Sequence, residues 1–156
     1  MFAGPYEGWQ QKLQNRAAEL KLESKVTWTG MLSGAVKWGA FTAAEVFVLP
    51  SHTESFGAAV VEAMACGVPV LISDKVKIWP EIQATGAAFV AKDDLSGTTQ
   101  LLKRWLQLPP VERESMRRRA QEGYDKVFVP RAALERLVSV LRAFGAQDGA
   151  GNGRSY

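Results

Sequence analysis

Residues 46–72, VFVLPSHTESFGAAVVEAMACGVPVLI, read as strand, loop, helix, turn and strand. Val46 to Leu49 and Val68 to Ile72 are short apolar runs rich in β-branched residues. Such runs suit strands buried on both faces of a parallel sheet. Between them, Gly57 opens a helix and Gly67 ends it, with Pro69 just beyond, where a helix cannot continue. Ala58, Ala59, Ala63 and Ala65 are small enough to let that helix lie close on a sheet.

The loop Pro50 to Phe56 leaves the carboxyl end of the first strand, where parallel α/β sheets bind ligands. Backbone N–H groups near Gly57, Ala58 and Ala59 start the helix, and its dipole favours an anion there. Glu54 lies in the loop and Glu62 about one turn into the helix. Helical side chains lean toward the N-terminus, so Glu62 can reach the same crevice. Two carboxylates beside an anion site are better placed to accept hydrogen bonds from sugar or ribose hydroxyls than to touch the anion. The alternative for the pair alone is an exposed loop carboxylate and a helix N-terminal charge.

The string Glu54-Ser-Phe-Gly-Ala-Ala-Val-Val-Glu62 resembles the E-x7-E motif of retaining nucleotide-sugar glycosyltransferases. With Ala63-Met64-Ala65, Gly67 and Pro69-Val70, it is similar to glycosyltransferase family 4, also called group 1, of GT-B fold. The resemblance runs from about Gly4 to Phe144. It implies that Glu54 contacts the donor sugar and is the catalytic candidate, and that Glu62 contacts the nucleotide ribose. It implies that the amides at Phe56, Gly57 and Ala58 meet the sugar or diphosphate. Gly30, Met31 and Leu32, leaving an earlier strand end, fall where relatives place the base; a plain turn is the alternative. The implied donor is a UDP-, GDP- or similarly activated sugar, with no metal cofactor.

The family's donor half begins with a strand, helix and strand that precede anything found here, and that piece carries cations for the diphosphate. Lys75 and Lys77 leave a different strand. The chain therefore resembles the C-terminal, donor-binding part of such an enzyme. It is expected to be inactive alone and to depend on an N-terminal acceptor domain or on a separate chain supplying it. A non-catalytic nucleotide-sugar-binding or interaction module, paired with another chain, is the second reading.

A chain of 156 residues with 47% apolar and 22% charged residues suits one soluble domain with a substantial core. Residues 1–144 are expected to form the partial GT-B domain and 145–156 a disordered, Gly-rich tail. Lone Cys66 is expected to be a small hydrophobe. One His and one Cys give a structural zinc site little support. No run approaches the ~18 apolar residues of a membrane span, and the N-terminus lacks the features of a signal peptide. A cytoplasmic location is the resulting expectation. Residues 103–142 hold ten Lys and Arg against five Asp and Glu. That balance fits a solvated helical face or peripheral contact with anionic lipid; no nucleic-acid motif accompanies it.

The expected fold is a Rossmann-like α/β layer with about four parallel strands, Val26–Thr29, Val46–Leu49, Val68–Ile72 and Ala87–Val90, and helices on both faces. Helices are expected over residues 6–22, 35–44, 80–84, 95–106, 110–126 and 130–143. Trp9, Leu13, Ala17 and Leu20 form the apolar face of the first. His52 has no Asp or Ser at triad-like spacing and reads as a solvated loop residue, a place flanking the donor site being the alternative.

Overall fold

The computed structural model describes residues 1–5, 8–129 and Val138. The helix expected over 130–143, Val138 aside, and the tail over 145–156 lie outside the described residues. The chain divides into two compact units, Met1–Ala40 and Phe41–Tyr156.

The first unit holds helix α1 (Trp9–Glu19), a single 3-10 turn (Glu23–Lys25) and the start of α2 (Gly34–Ala43). Val26 to Thr29 is not a strand. It makes one isolated parallel bridge, Trp28 to Phe2, flanked by Phe2 N–H to Thr27 O and Thr29 N–H to Phe2 O. A strand needs a ladder of partner groups, and Phe2 supplies only one rung. The Phe2 and Trp28 rings stack with centroids 4.8 Å apart. The expected apolar face of α1 is only partly realised. Ala17 is buried, while Trp9, Leu13 and Leu20 are 69%, 45% and 51% exposed.

The second unit carries the sheet. Its strands are β1 (Phe47–Leu49), β2 (Val70–Ser73) and β3 (Ala88–Ala91), all parallel, in the order β1-β2-β3. The sheet therefore has three strands rather than about four, because Val26–Thr29 does not join it. Phe47, Val48 and Leu49 stand opposite Val70, Leu71 and Ile72. Central β2 is buried along its whole length, as a strand covered on both faces must be.

Its alternate residues feed two cores. Val70 and Ile72 pack with Val60, Ala63 and Met64 of α3 (Ala58–Ala65), Ile82 of α4 (Trp79–Ala84) and Ala120 of α6 (Pro110–Val127). Leu71 packs on the other side with Phe89, with Leu101 and Trp105 of α5 (Leu95–Gln107), and with Met116 of α6. Trp105 is buried in this second core, whereas Trp38 is 42% exposed. Cys66 is half-buried against the first core.

Several cations of α6 are spent on the fold. Arg117 Nη1 donates to Ala44 O just past the C-terminus of α2, and Arg113 Nη2 donates to Leu106 O in the last turn of α5. These carbonyl ends carry negative partial charge, so an arginine there satisfies orphan acceptors and opposes the dipole. Arg119 Nε donates to Gly86 O.

Asp94 caps α5, its side chain accepting from Gly97 N–H at 2.7 Å. A β-carbon on Gly97 would lie 2.2 Å from Lys92 O, a backbone atom that cannot swing aside. Alanine for glycine inside a helix ordinarily gains about 1 kcal/mol. Overpacking costs typically 1–3 kcal/mol, and a clash with rigid backbone belongs at the upper end. Gly97→Ala is expected to destabilise the protein by about 1–2 kcal/mol net, read as a lowered denaturation midpoint in urea. A raised midpoint would contradict the close approach of α5 to the end of β3.

Candidate functional site

The carboxyl ends of β1, β2 and β3 lie along one edge of the sheet, because all three strands are parallel. The loops leaving that edge hold Glu54, Asp74, Lys75, Lys77 and Asp93. Glu54 forms an isolated parallel bridge with Val76. Its N–H donates to Lys75 O at 3.2 Å, and Lys77 N–H donates to Glu54 O at 3.1 Å. Lys75 and Lys77, which the sequence assigns to a different strand end, are thereby backbone neighbours of Glu54. Lys75 Nζ lies 3.5 Å from Asp74 Oδ1.

Gly57 is the N-cap of α3 and adopts φ +76°, ψ +47°. This left-handed conformation favours glycine. Space for a side chain is tight as well. A β-carbon there would meet Val76 Cγ1 at 3.0 Å and Val60 Cγ2 at 3.3 Å. Both Val60 N–H and Val61 N–H close onto Gly57 O, which fixes the first turn.

The expected anion site at this helix start is occupied by the protein itself. Glu54 Oε1 accepts from Gly57 N–H at 3.0 Å and from Phe56 N–H at 3.2 Å. The sequence alone leaves these amides free for a ligand. The short loop returns the Glu54 carboxylate onto them instead, because uncapped N–H groups and a positive helix end attract the nearest anion. The hydrogen bonds from Gly57, then Phe56, hold the Glu54 carboxyl below its ordinary pKa, with desolvation opposing. The carboxylate cap is thus complete above the ordinary carboxylate pKa of about 4.3 and is lost as the pH falls through the lowered folded value. The N–H groups of Ala58 and Ala59 keep no partner among the described residues. Phe56 is 53% exposed at the mouth, and Glu62 is half-buried on α3.

Gly30, Met31 and Leu32 belong to the Met1–Ala40 unit. Gly30 has φ +65°, its carbonyl accepts from Gly4 N–H at 3.0 Å, and Met31 is 71% exposed. Their local geometry is that of a turn held against the N-terminal segment.

One contact escaped the sequence reading. His52 Nδ1 lies 3.0 Å from Asp93 Oδ2, across 41 residues of chain. An ionised carboxylate only accepts, so Nδ1 carries the proton. His52 keeps the Asp93 carboxyl below its usual range. No spacing rule reveals this pair, since it depends on β1 and β3 flanking β2. Among the described residues, no group of three or more His, Cys, Asp or Glu is placed to hold a metal ion. None of their helices is long and apolar enough to cross a membrane.

The family described as "Glycosyl transferases group 1" matches residues 1–123. The O-antigen chain mannosyltransferase RfbU of Salmonella typhimurium is 33% identical over 101 residues, covering 65% of this chain and 28% of that protein. The putative colanic acid biosynthesis glycosyltransferase WcaL of Escherichia coli is 28% identical over 142 residues, covering 86% of this chain and 35% of that protein. The chain thus spans about a quarter to a third of the length of these relatives. Among solved structures, the sucrose-phosphate synthase of Thermosynechococcus elongatus superposes with a TM-score of 0.73 at 22% identity, covering 93% of this chain and 38% of that one. That likeness carries the fold, and it agrees with the parallel α/β layer described above.

Proposed function

Because this chain belongs to the group 1 glycosyltransferases, we propose that the mouth beside α3 binds the nucleotide-sugar donor of a retaining glycosyl transfer. The observation that carries the reading is the Gly57 turn, which sets Glu54 and the start of α3 at the carboxyl edge of the sheet. Ala58 and Ala59 offer N–H groups to a phosphate oxygen, and Glu62 offers a carboxylate to ribose hydroxyls. Glu54 leaves the amides of Phe56 and Gly57 and turns to the donor sugar. Lys75 and Lys77, held beside the Glu54 backbone, supply positive charge near a diphosphate leaving group. Developing negative charge on that group is what a transferase must stabilise.

The acceptor belongs to glycan or lipid chemistry, in keeping with the names of the relatives. Transfer by these 156 residues alone is proposed to stay at background, the acceptor side being supplied by a further domain or chain.

Calorimetric titration with UDP, GDP and ADP tests the site in a folded sample. Weak but saturable heat with at least one nucleotide is expected. Heats equal to buffer for all three would remove the proposal. In the same samples, labelled sugar nucleotide should transfer to added acceptors no faster than with a Glu54→Ala control.

A further inference from the structure

The loop carrying Glu54 is tied down at three successive points. Ser73 Oγ donates to Ser51 O, fastening the loop to the end of β2. His52 reaches Asp93 at the end of β3. The Glu54 backbone bonds to Lys75 and Lys77 beyond β2. The first and last ties use backbone atoms of the loop. Only the His52–Asp93 tie is made wholly by side chains, and it joins loops from the two outer strands across the end of the middle one. The His52 side chain is 83% exposed and Asp93 28% exposed, so burial does not explain their pairing. Lys75 adds a favourable charge beside Asp93.

We infer that His52 and Asp93 form a positioning pair that sets where the Glu54 carboxylate stands at the mouth of the site. This inference rests on the donor-binding reading for its consequence in binding. Neither residue needs to touch the ligand. Asp93 accepts the Nδ1 proton and fixes the imidazole, and the fixed imidazole holds residue 52, two positions before Glu54. Glu54 in turn caps Phe56 and Gly57 in the free protein and meets the sugar in the complex.

Two measurements on the full chain test the pair. The first needs no ligand. Amide exchange at Phe56 and Gly57 should quicken roughly two- to five-fold in His52→Ala and in Asp93→Ala, the scale of an exposed ion pair. The double variant should be no faster than either single one, since both remove the same interaction. His52→Asn keeps a donor near the Nδ1 position and should restore the slow rate. The second measurement compares ligands by calorimetry. Both alanine variants should lose roughly two- to five-fold in affinity for a UDP- or GDP-sugar and keep their affinity for the free nucleotide. Unchanged exchange at both amides would overturn the inference. Equal loss for sugar nucleotide and free nucleotide would also overturn it, by showing a general structural role. If the wild-type chain binds neither ligand, the donor-binding reading fails, and the exchange rates still decide the pair.

Discussion

Replacing Glu62 with alanine should weaken binding of free UDP or GDP roughly ten- to a hundred-fold, while Glu54→Ala should change it by less than about two-fold. A hydrogen bond to a charged group is worth roughly 1.5–3 kcal/mol, and the ribose that Glu62 is proposed to hold is present in the free nucleotide. The sugar proposed to engage Glu54 is not. The structure sharpens the contrast. In the free protein, Glu54 Oε1 sits on the N–H groups of Phe56 and Gly57. Removing it exposes two donors at the positive end of α3 and removes a negative charge from beside the incoming phosphate. Any small effect of Glu54→Ala on the free nucleotide should therefore be a gain. With a sugar nucleotide the order narrows, because Glu54→Ala then loses its own contact. Glu62→Gln keeps the side-chain size and guards against an effect of misfolding. A larger loss from Glu54→Ala on free UDP or GDP would reverse the two roles.

The helix start was legible because each local signal had a single physical reading. Gly57 opens α3, Gly67 ends it and Pro69 follows, each as its residue type dictates, while the left-handed backbone at Gly57 is what the structure adds. Apolar runs of β-branched residues marked β2, buried on both faces. The family motif then gave roles to Glu54 and Glu62 that no spacing argument supplies. What stayed hidden depended on neighbours in space. Val26–Thr29 has strand composition, yet among the described residues it forms a single rung, with Phe2. The α1 face at Trp9, Leu13 and Leu20 has helical periodicity, which shows that a face is apolar and not that something covers it. Glu54 was expected to wait for a ligand, but the nearest positive helix end was its own. His52 and Asp93 meet only because the strand order places β1 and β3 on either side of β2.

The purified chain should self-associate at micromolar concentration and melt broadly rather than in one sharp, reversible step. The sheet order leaves β1 at an edge, and among the described residues no strand pairs with its outer side. A three-residue strand of Phe47, Val48 and Leu49, each only half-buried, presents apolar side chains with unpaired backbone groups. Edges of that kind recruit other strands. In the first unit, Trp9, Leu13 and Leu20 expose a further apolar stripe, which adds to the tendency. Phe47 N–H bonds inward to Pro69 O, and successive N–H groups of a strand point to opposite sides, so Val48 N–H points outward. Proline is tolerated on an edge strand where its missing N–H faces away from the sheet. Val48→Pro should therefore spare the β1–β2 ladder while blocking addition of a strand. Light scattering should show the wild-type chain above monomer mass and the Val48→Pro variant shifted toward it. A strictly monomeric wild-type sample with a sharp, reversible calorimetric transition would refute this. The three-stranded sheet would then be a complete folding unit whose open edge is protected by means other than strand pairing.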